Sequence, residues 1–262
     1  FDLIIKNGTV IDGTGSPGEK TDIALLGGKI SDIGSFGESE AKEIINAENM
    51  IVCPGFIDPH THYDAQLFWD PYASPSNLHG VTSVVMGNCG FSIAPISDPS
   101  DAEYLGAMLV QVEGMSAEAL RLGVDWEWNS FEDYLGRLDG RVGVNVAAMV
   151  GHCALRRTVM KEDAVKREAT VDEIAKMQQL LGEALEAGGL GFSTSRSFTH
   201  TDGDGLPVPS RVASVEEVLA LAEVCEKYPG TTLEWVADGC LNGFSDEEVD
   251  LMTQMSLRAR RP

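Results

Sequence analysis

The chain has 262 residues, 43% of them apolar, which allows one large α/β domain, or a large and a small one, with a sizeable core. Its formal net charge of −22 repels nucleic acid and anionic membranes, so neither is an expected partner. The apolar runs are too short to span a bilayer, and Phe1-Asp2-Leu3-Ile4-Ile5-Lys6 lacks the basic-then-apolar pattern of a signal peptide. The five cysteines, Cys53, Cys89, Cys153, Cys225 and Cys240, include no CxxC pair. Their odd number argues against a disulfide framework and for a reducing cytoplasm.

Residues 1–54 differ from the rest. The segments 2–12, 22–35 and 44–52 are β-rich and are separated by turn chemistry at Asn7-Gly8, Asp12-Gly13-Thr14-Gly15 and Gly27-Gly28-Lys29. A small antiparallel β unit is expected there. Residues 55–262 alternate strands with helices. Strands are expected at 55–58, 81–86, 143–150, 189–193 and 231–235. The segment 170–187 carries Ile174, Met177, Leu180, Leu181, Ala184 and Leu185 at helical spacing and opens with the capping box Thr170-x-x-Glu173. Ser214-x-x-Glu217 and Ser245-x-x-Glu248 open two more helices in the same way. Apolar strands alternating with helices imply a parallel sheet. Five such strands do not close an eight-stranded barrel. The missing starting Met, and an end that follows directly on a helix, lead to the expectation that this is the first part of a longer protein.

The chemistry gathers at predicted strand ends. In Pro54-Gly55-Phe56-Ile57-Asp58-Pro59-His60-Thr61-His62, residues two apart on an extended chain project to one side. His60 and His62 therefore point together, as half a ligand set for zinc or a similar divalent ion, while Thr61 points away. Asp64, two residues on, orients an imidazole, contacts substrate, or is a solvated loop carboxylate.

The β-branched run 81–86 leads into Gly87-Asn88-Cys89-Gly90, which puts Cys89 at a second strand end. A lone cysteine is ordinarily structural. Beside a His-x-His strand it becomes a candidate thiolate ligand. His152, after the third strand, is expected to face the same cavity or to be an ordinary core residue. His200 sits in the glycine-rich loop 197–205, which suits the covering of a site. Glu234 in Thr231-Thr232-Leu233-Glu234-Trp235 is a carboxylate within an apolar strand, costly unless it is paired or metal-bound; the alternative is a solvent-facing strand end. No phosphate-binding glycine loop and no nucleophile elbow is found.

Three motifs carry a resemblance: residues 54–64, the run Gly80-Val81-Thr82-Ser83-Val84-Val85-Met86-Gly87-Asn88-Cys89-Gly90, and Gly189-Leu190-Gly191-Phe192-Ser193-Thr194. With them the chain resembles the amidohydrolase superfamily, and within it the N-acyl-D-amino-acid deacylase (D-aminoacylase) group. The resemblance implies an α/β fold, a TIM-like metal-dependent hydrolase barrel of which about five of eight strands lie here. A small β-sandwich built from both chain ends accompanies it.

It also implies zinc, as one or two ions, held by His60, His62 and Cys89, with the cysteine in place of the carboxylated lysine of hydantoinases and dihydroorotases. Glu234 falls about where the group's strand-five histidine ligand is expected and is the fourth candidate. Asp64 and His200 are the candidate substrate contacts. A metal-activated water would attack the amide carbonyl. The group's proton-shuttling aspartate is expected beyond Pro262. The implied reaction is hydrolysis of a linear amide in N-acyl-D-amino acids, with a small-molecule substrate and a homo-oligomer left open. The alternatives are a cyclic-amide hydrolase of the hydantoinase or dihydroorotase type, and a barrel-derived binding subunit that has lost catalysis.

Overall fold

The computed structural model describes residues 1–261, and the chain divides into two compact units with a boundary after Phe56. The first unit contains β1 (Leu3–Lys6), β2 (Thr9–Val10), β3 (Glu19–Lys20), β4 (Asp22–Leu26), β5 (Lys29–Gly34), β6 (Glu43–Asn46) and β7 (Ile51–Val52). They form a four-stranded sheet in the order β5-β4-β1-β6 and a three-stranded sheet in the order β3-β2-β7. The expected antiparallel unit is in fact mixed. The pairs β1/β4, β4/β5 and β2/β3 are antiparallel, but β1/β6 and β2/β7 are parallel. The difference follows from the connections. Gly27 and Gly28, both at positive φ, make the tight turn that returns β5 antiparallel to β4. The longer link from β5 to β6, with a 3₁₀ turn at Glu38–Glu40, gives the chain room to run alongside β1 in the same direction.

The third sheet consists of β8 (Phe56–Asp58), β9 (Val81–Met86), β10 (Asn145–Gly151), β11 (Gly191–Ser195) and β12 (Thr232–Val236), in the order β12-β11-β10-β9-β8. The pairs β9/β10, β10/β11 and β11/β12 are parallel. Strand order is strictly consecutive, as in the arc of a (β/α) barrel, where a doubly wound sheet would reverse. The result is a five-stranded half-barrel. All five residues of β11 are buried. A Cβ on Gly191 would stand 1.9 Å from the Thr232 carbonyl oxygen, so the close approach of β12 requires glycine there.

Among the described residues, eight α-helices connect and cover these strands: α1 (Pro99–Glu113), α2 (Ala117–Gly123), α3 (Phe131–Leu138), α4 (His152–Met160), α5 (Val171–Glu186), α6 (Val215–Val224), α7 (Gly239–Asn242) and α8 (Asp246–Ala259). The sequence places α5, α6 and α8; the other five were not expected from periodicity. The small residues Ala102, Gly106 and Ala107 weaken the apolar contrast along α1, although Asp98 caps its start, Pro99 follows, and a left-handed Gly114 ends it. The capping boxes of Thr170/Glu173 and Ser245/Glu248 form as the sequence predicts. The third is only half made. Ser214 accepts the Glu217 N–H, but the Glu217 side chain turns inward instead of returning to the cap.

The core packs Val84, Met86, Ala148, Val150 and Phe192 of the strands against Leu105, Met108, Leu109, Leu155, Met177, Leu181 and Leu221 of the helices. Each such side chain contributes roughly 1.5–3 kcal/mol on burial, so the frame that carries the strand ends does not depend on the residues placed there. No helix among the described residues is long and apolar enough to cross a membrane.

Candidate metal centre

Past the end of β8, the Thr61 N–H donates to the Val85 carbonyl at 2.9 Å and the Thr61 hydroxyl to the same oxygen at 2.7 Å. This ties the His-x-His segment to β9 and turns both imidazoles to the other side. Their ring centroids lie 5.4 Å apart. His60 Nε2 is 3.2 Å from Cys89 Sγ, and His62 Nε2 is 3.7 Å from it. One donor atom from each residue falls within 4.8 Å of the other two.

Cys89 reaches this position through an unusual turn. Its φ is +56°, between Gly87 at +75° and Gly90 at +79°. A side chain at Gly87 would put its Cβ 2.2 Å from the Met149 carbonyl oxygen. The turn is held from several sides. Asp64 Oδ2 accepts the Gly87 N–H at 2.9 Å, and Glu234 Oε2 accepts the Cys89 N–H at 2.7 Å. Ser193 Oγ accepts the Gly90 N–H at 3.0 Å and donates to the Gly87 carbonyl. Asn88 Nδ2 donates to the Thr61 and Val85 carbonyls at 3.2 and 3.0 Å. A non-glycine residue in the left-handed region costs of order 1 kcal/mol and persists where its surroundings over-determine it, as they do here.

The electrostatics favour a cation. Burial pushes the Cys89 thiol up, and the carboxylates of Glu234 and Glu113 push it further in the same direction. Burial raises Glu234 to about 7 against the opposing hydrogen bond from Cys89, and raises Asp64 to about 7 against that from Gly87. Burial, with His60 and His200 nearby, lowers His62 to about 4, so its imidazole is neutral and free to ligate.

Tested against zinc, the donor set fits. With Zn–N distances of about 2.0–2.1 Å and Zn–S of about 2.3 Å, tetrahedral nitrogen and sulfur ligands stand about 3.6 Å apart. The two observed separations bracket that value. A divalent ion would also convert the disfavoured thiol to a thiolate.

The sequence-predicted residues are thus partly assembled. His60, His62 and Cys89 form one cluster, and Glu234 meets it through the Cys89 amide. Asp64 is wholly buried and accepts the Gly87 N–H, which ties it to the Cys89 turn. His200 is half-buried, with Nδ1 2.7 Å from Ser195 Oγ and its ring 4.9 Å from that of Phe91, which in turn lies 6.0 Å from the His62 ring. His152 does not face the cluster. Its Nδ1 lies 2.8 Å from Thr194 Oγ1 and its Nε2 2.8 Å from Glu217 Oε1, because Thr194 projects to the face of β11 opposite Ser193. The sequence reading also missed Ser193 and Glu113. The one local signal for Glu113 is an acid at the C-terminal end of a helix, just before Gly114.

Residues 43–262 match the model of the Amidohydrolase family. The chain is 35% identical over 226 residues to the D-aminoacylase of Alcaligenes xylosoxydans xylosoxydans, covering 86% of this chain and 41% of that protein. A solved D-aminoacylase, described as defining a novel subset of amidohydrolases, superposes with a TM-score of 0.79 at 32% identity, over 100% of this chain and 50% of its own. The N-acyl-D-glutamate deacylase of Bordetella bronchiseptica, solved with zinc and a phosphonate mimic of the tetrahedral intermediate, gives a TM-score of 0.74 at 31% identity, over 99% of this chain and 50% of its own. The chain therefore spans about half the length of the relatives it matches.

Proposed function

This chain belongs to the Amidohydrolase family, and from that premise we propose that it supplies the metal centre of a zinc-dependent hydrolase that cleaves the linear amide of N-acyl-D-amino acids. The observation that carries the reading is the Cys89 thiol set against His60 and His62 at 3.2 and 3.7 Å. His60, His62 and Cys89 would hold one or two zinc ions. When bound, the ion supplies Lewis-acid polarisation of the amide carbonyl and acidification of a water.

The chain's own residues do the positioning. Asp64, Glu234 and Ser193 fix the backbone of the Cys89 turn, so the sulfur is held in place before any ligand arrives. His62, kept neutral by burial, presents a free lone pair. His200, backed by Ser195 and Phe91, is placed to contact substrate. The two N-terminal sheets are the chain's share of a small β-sandwich, and the five free cysteines accord with a reducing cytoplasm.

The cyclic-amide alternative is not favoured. The relatives above are deacylases, and no lysine stands near the end of β11. A panel of N-acyl-D-amino acids, their L-enantiomers, hydantoins and dihydroorotate, assayed with the full-length protein, separates the readings. The N-acyl-D-amino acids should lead in kcat/KM by about 100-fold or more, as expected of a site that hydrogen-bonds one substrate class and leaves polar groups unpaired with another. Hydantoins cleaved equally well would overturn the assignment.

A further inference from the structure

Glu113 is the last residue of α1, and its position is unfavourable on two counts. It puts a negative charge at the negative end of the helix dipole. It is also half-buried, and no lysine or arginine pairs with it among the described residues. Its side chain meets a neutral imidazole instead: Oε1 lies 3.5 Å from His62 Nε2, the same nitrogen that faces Cys89 Sγ.

That distance has a meaning in coordination chemistry. An imidazole nitrogen and a carboxylate oxygen on one tetrahedral zinc ion, each at about 2.0–2.2 Å from it, stand about 3.4 Å apart. Glu234 is the rival carboxylate, but its Oε2 is already committed to the Cys89 N–H at 2.7 Å. Glu113 stands beside His62 but outside the close cluster of His60, His62 and Cys89, and the torsions of a glutamate side chain allow it to close the remaining gap. Its backbone is fixed, because the left-handed Gly114 ends the helix directly after it.

From these contacts we propose that Glu113 is a further ligand of the metal centre, supplied by α1 from outside the strand ends that carry the other three. This rests on the reading that His60, His62 and Cys89 hold a divalent ion.

Cobalt(II) titration of the metal-stripped full-length protein tests it by ligand-field absorption, by the thiolate-to-cobalt charge-transfer band and by competition for affinity. Glu113→Gln should weaken cobalt binding by more than about tenfold and change the ligand-field bands. Glu103→Gln, exposed on the same helix, should match wild type in both, and circular dichroism checks that each variant is folded. Wild-type affinity and spectrum in Glu113→Gln would overturn the proposal while leaving the metal centre intact. A wild-type protein that takes up no cobalt, or whose charge-transfer band survives Cys89→Ala, would overturn the metal-centre reading, and Glu113 with it.

Discussion

Replacing Cys89 by alanine is expected to lower the affinity of the full-length protein for zinc by more than about 100-fold, beyond the 10–100-fold typical of losing a group that only supports a ligand. The local structure is organised around this sulfur. Cys89 adopts a left-handed backbone, and separate side chains from the β8–β9 connection, β11 and β12 take up its amide and those of its glycine neighbours. The thiol occupies a buried position beside carboxylates that oppose its ionisation. Neither arrangement benefits an apolar core, and both suit a thiolate that appears only with a cation. Alanine keeps the backbone requirement and removes one of three clustered donors. Equilibrium dialysis against a competing chelator measures the loss, and the melting temperature should move by only a few degrees, as for a substitution of about 1 kcal/mol. Unchanged zinc affinity would take Cys89 out of the site.

The second large effect is on stability. Glu217→Ala should cost about 3–5 kcal/mol, the usual price of breaking a buried ion pair from one side. The side chains of His152, Arg156 and Glu217 all have 0% exposure. Glu217 bonds to both of the others, while Arg156 also donates to the carbonyls of Ala164 and Arg167. Burial pushes the Glu217 carboxyl up, but His152 and Arg156 outweigh it and hold it below the usual range. Without Glu217, the guanidinium stays buried with carbonyl partners and no counter-charge. Denaturant midpoints of the full-length protein, compared with those of the shape-preserving Glu217→Gln, report the difference. A loss below about 1 kcal/mol would mean that water or repacking relieves the charge.

What was legible in the sequence was local. The β-branched run 81–86 reads as a strand of a parallel sheet, and it is one, with Val84 and Met86 buried. The shared direction of His60 and His62 follows from the two-residue period of extended chain, so it needs no knowledge of the fold. Cys89 was legible through the glycines around it, which mark a backbone no ordinary strand end requires.

What was not legible depends on partners distant in sequence. Glu217 looks like the third residue of a capping box, yet His152, 65 residues away, claims its carboxylate. His152, at a strand end, reads as facing the same cavity or as a core residue; β10 passes directly into α4, and the imidazole is buried between Thr194 and Glu217. Asp64 reads as an imidazole-orienting, substrate-contacting or solvated carboxylate, and which of these holds depends on its burial and on the Gly87 N–H that it accepts. Glu113 lies on a helix whose docking beside His62 is a matter of tertiary packing. Periodicity assigns a residue to a face of its own element, not to the neighbour which that face meets.

Zinc restoration tests most directly the proposal that this chain holds the metal of a metal-dependent deacylase. The full-length protein is stripped by a chelator, its residual metal is measured, and zinc is added back while hydrolysis of an N-acyl-D-amino acid is followed. Turnover should disappear with the metal and return on addition of one or two zinc ions per chain, and a His60→Ala variant should neither retain nor regain them. Full turnover in protein verified to be free of metal would contradict it.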